Sequence, residues 1–331
     1  MPNVRAVSSD SHVIEPHDLW LERLDGKFRD KAPRAIADEQ GEHWFHYEGK
    51  RSSKVRPLGT PFAVQGTQAE EARTGGWDPA ARLKDMEVDG IEAEVLYPSL
   101  AMSLFALKDA ELQVACFRAY NDWLAEFCRG GRGRLYGVGL VPLYNVEDGL
   151  AEVRRIVDIG LSGVAIWGTP PLELSFLSAR YDPFWAGVQS LKLPVSLHCF
   201  TGHLAQRPNN FMAGYTISPH EIQTSLATLI FGGVFERFGD LKVISVENDL
   251  GWAPYLMQRM DYGQRRKGGR RGTPFASGLT PSERFKRNVR CTFMTDSLGI
   301  KCLDLLGADV PMWATDYPHD DSTWPNSQQV I

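Results

Sequence analysis

Val7-Ser-Ser-Asp10-Ser-His12 is a short β-type run that ends on two metal-competent side chains. In an extended strand successive side chains alternate faces, so Asp10 and His12, two residues apart, point the same way and can hold one cation between them. Leu193-Pro-Val-Ser-Leu-His198 and Val310-Pro-Met-Trp-Ala-Thr-Asp316 repeat the design, each an apolar run that stops on a potential ligand. Asp10, His12, His198 and Asp316 are therefore the predicted metal site. Two acids and two imidazoles suit zinc, manganese or iron rather than calcium, and leave positions open for water and substrate.

The rest of the chain surrounds these strand ends with helices. The first strand is read as Arg5 to Ser9, with Asp10 to Pro16 leaving it. From Leu19 to Gly75 the sequence reads as mostly irregular, with a hairpin at His43–Arg51 turning on Glu48-Gly49. So long an excursion inside a domain is expected to be a lid over a pocket, here residues 19–75. Asp78-Pro79 opens a helix that ends at Gly90. Strands follow at 91–97, 135–142, 163–167, 193–198, 241–247, 289–295 and 310–316. Helices are read at 110–129, 146–160, after Pro183, 221–238, 252–264 and 300–306. Strands alternating with helices predict a parallel sheet, and eight strands predict a closed (β/α)8 TIM barrel in one domain over 1–331. Catalytic groups in such barrels sit at the carboxyl ends of the strands, where Asp10, His12, His198, Glu247 and Asp316 all fall on this reading.

Composition bounds the function. A net charge of -5 over 331 residues offers no broad basic surface for nucleic acid. The basic run Arg265–Arg271 reads as a solvated loop. Five cysteines, at 116, 128, 199, 291 and 302, form no CxxC pair, which fits a reduced, cytoplasmic setting. No stretch approaches the roughly 18 apolar residues of a membrane span. The partner predicted is a small-molecule substrate, with neither nucleic acid nor membrane, and a homodimer is the assembly considered.

Asp10-Ser-His-Val-Ile-Glu-Pro16, Asp78-Pro-Ala-Ala-Arg-Leu-Lys-Asp-Met86, Phe235–Trp252 and Ala314-Thr-Asp-Tyr-Pro-His319, taken in order, resemble the amidohydrolase-related family. That branch of the metal-dependent amidohydrolase superfamily includes aminocarboxymuconate semialdehyde decarboxylase. The resemblance implies a (β/α)8 barrel with one divalent metal at its mouth, zinc first and manganese or iron as alternatives. Asp10 and His12 match the first-strand pair, His198 the fifth-strand ligand, and Asp316 the eighth-strand aspartate that binds or adjoins the metal and handles the proton of its water. Two departures stand out. Glu247 occupies the end of strand six, where many relatives carry a histidine, and relatives continue past strand eight, so the chain is expected either to extend beyond Ile331 or to close its barrel differently.

Several residues have competing readings. Glu15 is a first-turn acid near a helix start or a neighbour of the metal. His319 is a substrate contact, a donor orienting Asp316, or an ordinary loop histidine. His203, five residues after His198, is a substrate contact or proton donor. Cys199 points away from His198 and reads as a buried thiol, and His43 and His46 as surface groups. The leading functional expectation is hydrolysis of an amide, an ester or an activated C–C bond. The metal would lower the pKa of bound water from 15.7 to about 7, Asp316 would take its proton, and Glu247 or His203 would protonate the leaving group. The alternative is non-oxidative decarboxylation of an aromatic or muconate-like acid by the same ligands. A non-catalytic binding protein is the third reading, and the intact ligand set argues against it.

Overall fold

The computed structural model describes residues 4–56, 58, 62–63, 70–71, 73–203, 210–268 and 275–331. Eight parallel strands follow one another in sequence order in a single sheet: β1 (Ala6–His12), β2 (Ile91–Tyr97), β3 (Leu135–Leu140), β4 (Gly163–Ile166), β5 (Val195–His198), β6 (Val243–Val246), β7 (Val289–Phe293) and β8 (Pro311–Trp313). Sequence-order neighbours with intervening helices are the mark of the predicted (β/α)8 fold. The four-residue strands β4, β5 and β6 are buried at every position, as strands covered on both faces must be.

By internal packing the chain forms two compact units. The first comprises Met1–Pro142, Arg155–Ser162 and Ala314–Ile331. Here β1 pairs with β2, and β2 with β3, in parallel. The helix between β1 and β2 spans Pro79–Asp89. Asp78 caps it by accepting from the N–H groups of Ala80 and Ala81, and Gly90 ends it at φ 72°. The segment after β8 closes onto β1: Asp316 N–H donates to Asp10 O at 3.0 Å and His12 N–H to Tyr317 O at 2.6 Å.

The second unit, Leu143–Arg154 with Gly163–Trp313, holds β4 to β8 in parallel pairing. Phe184 and Trp185 of the helix Asp182–Ser190 pack edge to face with each other, and Phe176 does so with Tyr181 and Trp185. Arg265, Arg266 and Lys267 lie in a π-helical turn over Gln264–Gly268, and 269–274 fall outside the described residues.

Five expectations need correction, one being the helix read over 300–306, which is two, Ser297–Lys301 and Leu303–Leu306. β1 runs on to His12, so Asp10 and His12 belong to the strand itself, with a register shift between Ser8 and Ser11. The described part of 19–75 is not irregular. Arg34–Ala37, His43–Tyr47 and Lys50–Val55 form a three-stranded antiparallel sheet, of which only the hairpin was read, and its turn does use Glu48 and Gly49 at positive φ. The helix read over 221–238 is two, Pro219–Phe231 and Val234–Arg237, broken where Gly233 adopts φ 72°. Strand eight ends at Trp313, three residues before Asp316.

Candidate metal centre

In the first unit β1 and the turn after β8 bring four functional side chains together. His12 Nε2 lies 3.6 Å from Asp10 Oδ1 and 3.2 Å from Asp316 Oδ1, and all three side chains are within 2 % of full burial. Asp316 Oδ2 faces His319 Nδ1 at 3.0 Å, and the His319 ring stacks on His12 with centroids 4.0 Å apart. Asp10 and His12 thus share a face as the strand alternation requires. His319, undecided in the sequence, pairs with Asp316.

The donor set fits a cation. His12 Nδ1 is 2.7 Å from Pro98 O, and a carbonyl only accepts, so Nδ1 carries the proton and Nε2 presents its lone pair. Burial lowers the His12 pKa, and His319 lowers it further, against the raising effect of Asp316 and Asp10. A neutral imidazole aiming its lone pair at two buried carboxylates is repulsive unless positive charge lies between them. A backbone carbonyl on the remote nitrogen is also how a metal-binding histidine is oriented. Burial pushes the Asp316 carboxyl up, but His319 and His12 outweigh this and hold it well below the usual carboxylate range.

Hydroxyls knit these donors to the frame. Ser8 Oγ donates to Asp10 O at 2.8 Å and lies 3.0 Å from Thr315 Oγ1, which is 2.9 Å from Ser11 Oγ. Glu15 accepts backbone N–H groups at the start of a helical segment. Its fully buried carboxylate accepts N–H groups from Leu100 at 3.0 Å and Ala101 at 2.9 Å, opening the 3-10 segment Ala101–Ala106. Burial raises its pKa against those hydrogen bonds.

In the second unit β5 and β6 supply the other donors. His198 ends β5, its Nδ1 3.1 Å from Cys199 O and its Nε2 3.6 Å from Glu247 Oε2. Glu247 follows β6 at φ 58°, with its N–H donating to Thr292 Oγ1 at 2.8 Å. His203 packs edge-on to Trp167 at 5.9 Å and donates its backbone N–H to Thr169 O. Cys199 is buried, as read, whereas His43 and His46 are half-buried in the three-stranded sheet rather than fully exposed.

Sequence reasoning missed the buried arginines behind the first-unit donors. Arg82 is fully buried and paired to Glu94 at 2.5 Å, and it donates to His12 O at 2.7 Å. A signal existed. Arg82 shares the inward stripe of its helix with Leu83, Met86 and Asp89, and an arginine there needs a partner.

Comparison with known proteins places this arrangement in context. A family model described as Amidohydrolase matches residues 17–330. The 2-amino-3-carboxymuconate-6-semialdehyde decarboxylase of Dictyostelium discoideum is 25% identical over 203 residues, covering 60% of this chain and only 55% of that protein. The gamma-resorcylate decarboxylase of Rhizobium sp. (strain MTP-10005) is 26% identical over 274 residues, 75% of this chain and 80% of the relative. Among solved structures, an amidohydrolase from Mycobacterium avium subsp. paratuberculosis K-10 superposes with a TM-score of 0.80 at 20% identity, over 97% of this chain and 92% of that one. A dihydroxybenzoic acid decarboxylase from Polaromonas sp. JS666, solved with bound manganese and the inhibitor 2-nitroresorcinol, superposes at 0.65 and 19% identity, over 98% and 89%. Among the described residues no helix is long and apolar enough to cross a membrane.

Proposed function

Because the chain belongs to the amidohydrolase family, we propose that it is a metal-dependent, non-oxidative decarboxylase of an aromatic acid bearing a hydroxyl beside its carboxylate. The bond from ring carbon to carboxylate breaks with its electron pair left on the ring, carbon dioxide departs, and a proton from the protein fills the vacated position. Asp10, His12, His198 and Asp316 would hold one divalent ion, manganese or zinc. The close approach of Asp10, His12, Asp316 and His319 within the first unit supports this, as does the manganese of the Polaromonas enzyme. When bound, the ion would gather the carboxylate and hydroxyl oxygens and draw off charge as it builds on the ring.

The observation that carries the reading is the Asp316–His319 pair. With Nδ1 and Oδ2 3.0 Å apart and His319 29% exposed, a solvent proton can enter at the His319 ring and pass through Asp316 toward the substrate carbon. The described part of residues 19–75 would cover that substrate. In support, Glu48 in the hairpin turn accepts the N–H of Asp109 at 2.8 Å and Ser52 Oγ donates to Ser103 Oγ at 3.3 Å, both in the segment that follows the carboxyl end of β2. All five cysteines are free, which supports a reducing, cytoplasmic compartment.

Hydrolysis by the same donors, with Asp316 as base and Glu247 or His203 as acid, is the second reading. Its support is the family's description alone, whereas the curated relatives above are decarboxylases. Metal-loaded protein incubated with a panel of hydroxybenzoates, amides and lactones separates the two by product mass. Loss of carbon dioxide from a hydroxybenzoate is expected; gain of water on an amide or lactone, with no decarboxylation, would overturn the proposal.

A further inference from the structure

Behind the first-unit donors lie two buried guanidiniums whose contacts fall on the donor-bearing backbone. Arg82 is 0% exposed and Arg73 2%. Arg82 Nε pairs with Glu94 Oε2, while its Nη1 donates to His12 O at 2.7 Å and its Nη2 reaches Tyr317 O at 3.4 Å. The same guanidinium lies over the Tyr317 ring at 4.5 Å, and the Tyr317 hydroxyl is fixed by Asp85 Oδ2 at 2.5 Å. Arg73 Nη1 donates to Pro318 O at 2.7 Å and to His319 O. One fork thus touches the carbonyl of a proposed ligand on β1 and the residue after Asp316, and a second holds the carbonyls of the next two residues.

A rigid planar fork with five donors can serve a carboxylate and two carbonyls at once, which a lysine ammonium on a flexible stem cannot do in the same geometry. Glu94 neutralises the buried charge and also receives Ser11 Oγ at 3.4 Å, which links it back to β1 between Asp10 and His12. We infer that Arg82, with Arg73 beside it, is a positioning residue for the metal donors: it fixes the end of β1 relative to the turn carrying Asp316 and His319. The inference rests on the metal reading proposed above.

The second unit supplies an internal control. Arg284 is also fully buried and paired to an acid, Glu236, but its other hydrogen bonds go to Leu279 O and Ser277 Oγ, neither of which adjoins a proposed ligand. Replacing it perturbs a buried ion pair without touching the donor-bearing chain.

The test compares wild type with Arg82→Lys, Arg73→Lys, Arg284→Lys and His198→Ala in the full-length protein. Zinc affinity is read by competition with a chromogenic chelator, the ligand field by the visible spectrum of the cobalt-loaded protein, and folding by circular dichroism. Loss of an outer partner of a metal ligand typically costs about 10- to 100-fold in metal affinity. That loss, with shifted cobalt bands, is expected for Arg82→Lys, whereas Arg284→Lys keeps wild-type affinity and bands even where its melting temperature falls. Arg82→Lys with wild-type affinity and spectrum, or Arg284→Lys weakened equally, would overturn the inference. If Arg82→Lys does not fold, Arg73→Lys carries the same expectation and decides. Wild type that takes up no zinc, or His198→Ala that still binds it as wild type does, would instead overturn the metal reading itself.

Discussion

Glu247 and Asp316 follow β6 and β8 with their backbones in the left-handed region, at φ 58° and 57°, yet their surroundings differ sharply. A non-glycine residue held there costs about 1–3 kcal/mol, and such strain clusters where a side chain must be aimed. Asp316 is buried, with one oxygen facing His12 and the other His319. Glu247 is 21% exposed, with an oxygen 3.6 Å from His198 Nε2. The same backbone device thus presents two carboxylates of unlike character. Asp316 is coupled to His319, a histidine outside the proposed ligand set that solvent can reload, whereas the histidine paired with Glu247, His198, is itself a proposed ligand. This difference is why proton delivery is placed at Asp316.

The largest effect should therefore come from Asp316. Asp316→Asn keeps the shape but cannot carry the proton, and loss of a general acid or base typically costs about 10²–10⁴-fold in rate. Steady-state turnover alongside metal content checks this, and near-normal turnover would break the distinction between the two carboxylates. His319→Gln retains a group able to donate to Asp316 but not one that takes up solvent protons. It should lose roughly 10²-fold in kcat, with KM little changed. Equal kcat and KM losses would make His319 a substrate contact instead. Glu247→Gln should fall less than either, with metal retained. A loss as large as that of Asp316→Asn would transfer the proton donor to β6, as the hydrolytic reading expects.

The smallest effect concerns the metal-free protein. His12 has its folded pKa lowered from the ordinary 6.5, so below about pH 6.5 the unfolded chain binds a proton that the folded one refuses. Stability should fall as pH drops from 7 toward 5, by at most about 1.4 kcal/mol per pH unit for one proton. The depressed Asp316 carboxyl adds stability that is present above its ordinary 3.8 and is lost only as pH falls further, toward its folded value. Urea unfolding of the metal-free protein at pH 7 and 5 measures the first step, which His12→Asn should flatten. An unchanged slope in that variant would contradict the assignment.

The barrel was legible because parallel strands buried on both faces are rich in apolar residues, as in Gly163-Val-Ala-Ile166, and because Asp78 and Gly90 punctuate a helix. Asp10 and His12 were legible through strand alternation. The three-stranded sheet was hidden because its last strand, Lys50-Arg-Ser-Ser-Lys-Val55, lies partly exposed and carries no apolar alternation. The left-handed backbone at Glu247 was invisible because nothing about a glutamate announces positive φ. Arg82 was hidden for another reason: its importance lies in main-chain carbonyls, which no side-chain motif records.

Decarboxylation with protein-delivered protonation is tested most directly by running the metal-loaded protein on a 2-hydroxybenzoate in deuterium oxide. Evolution of carbon dioxide with deuterium at the vacated ring carbon, abolished in Asp316→Asn, is the predicted result. An unreacted hydroxybenzoate, with an amide or lactone in the same panel cleaved by water, would contradict it.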